Sequence, residues 1–195
     1  MKLARWASAL LLTACSAVGV PATDDPWKQY LYGCALLDSG RVFPAERLLS
    51  ESLAYYQRTA EPLQLAMVQM SYATLIESPT FVVDRQFHEK RMALGGREAL
   101  PARSRAMVAT ARENLQRALD APPARASPAE RTQVLVMLAE AESRLGDRAA
   151  ACRALEQAHA SHVQAAGVDY PYATYRYRSV PELLEARARA LDCGR

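Results

Sequence analysis

A glycine followed five positions later by a small residue, and seven positions after that by another, occurs twice in this chain. The copies are Gly40, Ala45 and Ser52, then Gly146, Ala151 and Ala158. Seven residues are close to two helical turns, so the two small residues of each copy share one helix face. The glycine ahead of them suits the left-handed conformation that ends a preceding helix, which other residues adopt only at a steric cost. Each copy therefore describes a helix, a tight turn and a second helix whose small side chains let its partner approach closely. Ala111 and Ala118 repeat the spacing of seven, followed by Leu119.

The rest of the chain agrees with helix. From Trp27 onward it is rich in Ala, Leu, Glu, Arg and Gln, the helix formers. Val134, Leu135, Leu138, Ala141 and Leu145 recur at helical spacing, as do Val108, Ala111, Leu115, Ala118 and Leu119. Ser127-Pro128-Ala129-Glu130 reads as a capping box with proline in the first turn, and Ser179-Val180-Pro181-Glu182 repeats that logic. Pro44 and Pro62 suit two further first turns. Gly40, Pro79, Pro122-Pro123 and Gly146 read as stops. Only residues 80–83 hint at strand alternation.

Leu145-Gly146-Asp147 with Ala151 and Ala158 resembles the motif of the tetratricopeptide repeat. The copy at Gly40 departs from it at Ser52, where the family usually has alanine, and no copy places the family's early tryptophan. The resemblance implies an all-α fold, a short α-solenoid of about three helix hairpins with a C-terminal capping helix over residues 181–192. The middle hairpin is interrupted: its first helix covers residues 62–76 and its second starts near Ala102. Residues 78–101 read as an insertion, and residues 27–195 as a single domain.

The start of the chain carries an address. Lys2 and Arg5 precede a short apolar run from Trp6 to Leu12, and Leu12-Thr13-Ala14-Cys15 closes it. The run is too short to span a bilayer, which takes about 20 apolar residues. The pattern resembles a bacterial lipoprotein signal. The resemblance implies a signal peptide at residues 1–14, lipidation of Cys15 with cleavage before it, and a lipidated tether at 15–26. Ser16 after the acceptor implies export to the outer membrane, with the body facing the periplasm. Loss of Lys2 and Arg5 takes the 24 basic residues to 22 against 21 acidic ones. Such a near-neutral body lacks the basic surface that nucleic acid requires, so no nucleic-acid partner is expected.

Chemistry is sparse. Cys34, Cys152 and Cys193 remain after Cys15. A Cys152–Cys193 bridge would staple the capping helix to the last hairpin, and three reduced thiols are the other reading. Cys34 sits among apolar residues and reads as core. Glu156, His159 and His162 recur every three residues, but two histidines and one glutamate on a helix describe a solvated face better than a metal site. No metal or other cofactor is expected. No nucleophile motif or phosphate-binding loop occurs, so the chain does not read as an enzyme.

Two segments are candidates for partner binding. Tyr170, Tyr172, Tyr175 and Tyr177 crowd together with Arg176, and Tyr and Arg dominate interface hot spots. The same rings could instead fill the gap beneath the capping helix. In the insertion, Phe81 and Phe87 lie near Arg85, Lys90 and Arg91, where they serve either a partner or local packing. Together with the address, these features resemble pilotins and the helical-repeat lipoproteins of outer-membrane assembly. That implies an anchored scaffold for a secretin, a barrel protein or another secretion-system component. The alternative is an immunity or specificity factor that binds one cognate protein.

Overall fold

The computed structural model describes residues 20, 22–120, 127–165 and 177–194. The signal segment, Cys15, Pro122-Pro123, Tyr170, Tyr172, Tyr175 and Arg176 lie outside them. Among the described residues the fold is all-α, with no strand. In chain order the helices are α1 (Pro26–Asp38), α2 (Val42–Thr59), α3 (Pro62–Glu77), α4 (Pro79–Val83), α5 (His88–Ala93), α6 (Leu100–Asp120), α7 (Pro128–Leu145), α8 (Arg148–Gln164) and α9 (Val180–Ala190). Short 3-10 turns, Arg85–Phe87 and Arg97–Ala99, flank α5. No helix among the described residues is long and apolar enough to cross a membrane.

Contacts divide the chain into two compact units. One holds the residues up to Ala60 together with Ser71–Pro101, the other Glu61–Met70 together with the chain from Ala102 onward.

In the first unit α1 and α2 form a helix hairpin. Asp25 caps α1, its carboxylate accepting from the amides of Trp27 and Lys28 at 2.9 and 3.2 Å. Gly40 turns the chain with a φ of 75°. There the Gly40 amide donates to the Leu37 carbonyl and the Arg41 amide to Leu36. On α2 the buried face is Ala45, Leu48, Leu49, Ser52, Leu53 and Tyr56, the period expected of a helix lying on a partner. Ala45, Leu49 and Ser52 are completely buried. Ser52 stands where the repeat pattern usually has alanine, and its hydroxyl donates to the Pro26 carbonyl at 2.9 Å. The departure from the pattern thus supplies a tie between the start of α1 and the middle of α2. The last residues of the expected tether belong to this unit as well, because Gln29 Nε2 donates to the Thr23 carbonyl at 3.0 Å and to Glu51 at 2.9 Å.

The segment 78–101 is folded rather than irregular. The hint of strand at residues 80–83 is overturned: Ser78 accepts from the Phe81 amide, Pro79 occupies the first turn, and α4 forms. A serine cap followed by proline favours helix initiation over an extended strand.

The second unit contains the other hairpin, α7 and α8. Its capping box is complete: the Glu130 amide donates to Ser127 Oγ, and the Ser127 amide to Glu130 Oε2. Gly146 makes the same turn as Gly40, with a φ of 92°, its own amide bonded to Ser143 and the Asp147 amide to Glu142. Asp147 then caps α8, accepting from the Ala150 amide at 2.8 Å. Ala151 and Ala158 are completely buried, as the spacing requires. The first half of α3 joins α6 through the buried pair Asn114 and Gln69, 3.1 Å apart. α9 packs on α8 and buries Val180, Leu183 and Leu184. Its cap differs from the expected box by one residue, since Glu182 accepts from the Arg178 amide instead of the Ser179 amide.

In the first hairpin Gly33 lies hard against Leu49 of the facing helix. A Cβ there would lie 2.7 Å from Leu49 Cγ and 2.9 Å from Leu49 Cδ2, and Leu49 is completely buried. Replacing glycine inside a helix by alanine gains up to about 1 kcal/mol of propensity, whereas overpacking a tight core costs about 1–3 kcal/mol. Gly33→Ala is therefore expected to lower stability by about 1 kcal/mol in urea denaturation. In Gly33→Ala/Leu49→Ala the loss should be smaller than the sum of the single losses. A stabilised Gly33→Ala protein would contradict this account of the hairpin seam.

Candidate functional site

The feature of the first unit that simple hairpins lack is the folded segment 78–101. Its two phenylalanines are its internal core. Phe81 is completely buried and Phe87 nearly so, their ring centroids 4.7 Å apart. Both were candidates for contact with a partner; burial removes them from any surface and gives them a packing role. Phe43, from the first turn of α2, completes the cluster with its ring 5.9 Å from Phe87. Phe43 itself stays 50% exposed. Val83 at the end of α4 and Met92 in α5 are exposed at 62% and 59%. Large apolar side chains left this open on ordered helices are candidates for contact with another molecule, singly a weak signal and together on one small unit a stronger one.

Polar ties hold this segment in place. Arg91 is buried, and its Nη1 donates to the carbonyls of Phe81 and Asp84 at 2.7 and 2.6 Å. The Gly96 amide closes α5 by donating to the Arg91 carbonyl. Lys90 reaches the buried Glu46 of α2 at 2.8 Å, and Tyr72 of α3 donates its hydroxyl to the same Glu46 oxygen at 3.1 Å. A buried carboxylate is tolerated only with such partners. Burial, then the charge of Glu46 and the hydrogen bond to it, push the Tyr72 phenol well above its ordinary range. Nearby, the half-buried Cys34 donates to Ser71 Oγ at 3.3 Å, and burial raises its thiol despite that bond. It is not the fully enclosed core residue the sequence suggested.

The second unit offers a different kind of feature. Two small adjoining cavities of about 190 and 250 Å³ lie beside α9 and share Ser143, Ala190 and Leu191 as walls. The charged residues around them pair with each other: Arg187 with Glu140, and Arg148 with Asp192 at 3.1 Å. Cys152 and Cys193 are bonded, their Cα atoms 5.6 Å apart. Tyr177 is half-buried before α9. The three-residue series on α8 splits: His162 turns inward to 6% exposure while Glu156 and His159 face solvent. Among the described residues no group of three or more His, Cys, Asp or Glu side chains could hold a metal ion. Two buried nitrogens, His162 Nδ1 and Arg112 Nε, have no hydrogen-bond partner among the described residues.

Sequence reasoning missed Phe43 and Met92. The position of Phe43 carried a signal, because it lies two residues ahead of Ala45 and so about 200° around the helix from the small-residue seam. Comparison with protein-family models, with curated proteins and with solved structures finds no match to this chain.

The Tyr72 hydroxyl generates a pH prediction. A tyrosine in an unfolded chain ionises near pH ~10. Because the folded phenol is raised, its contribution is fully present below that pH and is lost as pH rises further. Stability should therefore fall above about pH 10, with a slope from this group of at most about 1.4 kcal/mol per pH unit. Tyr72→Phe should cost about 1 kcal/mol at neutral pH through the lost hydrogen bond. The gap between the two proteins should close as pH rises from 10 to 12 in denaturation series. Parallel curves across that range would show that Tyr72 does not titrate in this way.

Proposed function

We propose that this chain is a lipid-anchored interaction module of the periplasmic face of the outer membrane, which holds or guides an envelope protein during assembly. Cys15 carries the lipid and the tether of residues 15–26 joins it to the fold, its last residues packed on the first hairpin. The stretch from Cys15 to Thr23 reaches at most roughly 30 Å, at about 3.3–3.6 Å per residue. The first unit is thus kept near the bilayer. The observation that carries the interaction reading is the exposure of Phe43, Val83 and Met92 on that same unit, with the Phe43 ring 5.9 Å from the buried Phe87. The partner class that fits the address is an integral outer-membrane multimer, a secretin or a barrel protein, and the mode resembles that of a pilotin.

Two measurements test the reading. Labelled palmitate should be incorporated by the native chain and not by Cys15→Ala, which should move from the membrane to the soluble fraction. Crosslinking in membranes should then recover one outer-membrane multimer. Phe43→Asp should reduce that recovery at least tenfold with the thermal midpoint within a few degrees of the native value. Recovery of one soluble protein instead, equally well with Cys15→Ala, would replace the assembly role with that of an immunity or specificity factor.

A further inference from the structure

The bond between Cys152 and Cys193 spans 41 residues and joins α8 to the turn that follows α9. Cys152 lies one helical turn after Arg148 on α8. Cys193 lies past the C-terminus of α9 and follows Asp192, the carboxylate that pairs with Arg148 at 3.1 Å. Its amide donates to the Ala188 carbonyl at 2.9 Å, which holds the turn against the helix end. Neither cysteine is fully buried. Among the described residues α9 buries Val180, Leu183 and Leu184, and its charged pairs, Arg187 with Glu140 and Arg148 with Asp192, are partly exposed. A helix of 11 residues does not persist by itself in water. By contrast, the α7–α8 hairpin has its own capping box, glycine turn and alanine seam.

We propose that Cys152–Cys193 is a thiol–disulfide exchange site that latches α9 and is opened by a dithiol reductant. The incoming thiolate attacks one of the two sulfurs and forms a mixed disulfide with it. The Cys152–Cys193 bond breaks, and its electron pair leaves on the other sulfur. The second thiol of the reductant then attacks its own sulfur in the mixed disulfide and releases the first cysteine, and solvent protonates both. One dithiol is oxidised to a disulfide and the protein disulfide is reduced to two thiols. Without the latch α9 leaves α8, while the α7–α8 hairpin stays folded. The proposal does not depend on the anchoring role.

The experiment uses the full-length protein with its free thiols alkylated beforehand. A monothiol, glutathione, traps the first step, and peptide mass spectrometry locates it. Glutathione is expected on one of the two cysteines, with the other free to alkylate; a bond that stays intact at glutathione concentrations that reduce an exposed model disulfide would overturn the exchange site. Hydrogen exchange then reads the latch. Dithiothreitol should speed exchange of residues 180–190 at least tenfold and leave residues 128–164 within about twofold. Cys193→Ser should show the fast exchange without reductant and no further response to it. Unchanged protection of 180–190 after reduction would overturn the latch, and so would loss of protection across 128–164.

Discussion

The structure depends on helices coming close enough for backbone and small side chains to form the seam between them. At Gly33 the absence of a Cβ admits Leu49, and Ala45 and Ser52 keep the facing helix equally slim. Ala151 and Ala158 do the same in the second hairpin. A close seam places the larger residues beside it, Leu48, Leu53 and Tyr56 in one case and Leu155 in the other, in full contact with the partner. Each such side chain contributes about 1.5–3 kcal/mol when it leaves water, so the small residues act by what they allow their neighbours to bury. The left-handed glycines serve the same end, since a turn of two or three residues keeps both helices in register from their first shared contact.

Segment 78–101 shows what happens where this rule is suspended. It has no alanine seam and no long helix. Two phenylalanines and one buried arginine replace them, with Arg91 satisfying carbonyls that short helices leave open at their ends. Lys90 and Tyr72 converge on Glu46 and tie the segment to α2 and α3. A segment built this way is ordered by a few directional contacts, and its outer side chains are free of any duty to the core. Val83 and Met92 are the residues so released.

The helical class, the two glycine turns, the Ser127 cap and the seam positions were legible because each is a local pattern with one physical meaning. Burial of Phe81 and Phe87 was not. Aromatic residues beside Arg85, Lys90 and Arg91 look alike whether they face a partner or each other. The deciding fact was a tertiary one, that Arg91 folds back on the Phe81 and Asp84 carbonyls. His162 misled in the same way. A spacing of three places it near Glu156 and His159 along α8, but the helix rotates it onto the Ala158 side. Ser52, which weakened the repeat pattern, proved to be a specific contact to Pro26 whose partner only the fold could supply.

Alanine seams raise a problem of uniqueness that the buried polar residues answer. A row of small side chains accepts a facing helix in several registers with similar contact. In the second unit Asn114 and Gln69 bond to each other in the interior, and Arg144 spans to the Met70 carbonyl and to the wholly buried Ser104. A slip by one turn would separate these groups and leave them unpaired at about 1–3 kcal/mol each. Ser161 adds a further check, because its hydroxyl reaches from α8 to the Pro128 carbonyl at the start of α7, which Thr132 also bonds from within α7. The apolar seam supplies close contact with little preference among registers, and the polar pairs penalise all but one. The small residues visible in the sequence therefore govern how tightly these helices pack, and the buried amides and hydroxyls govern which alignment they keep.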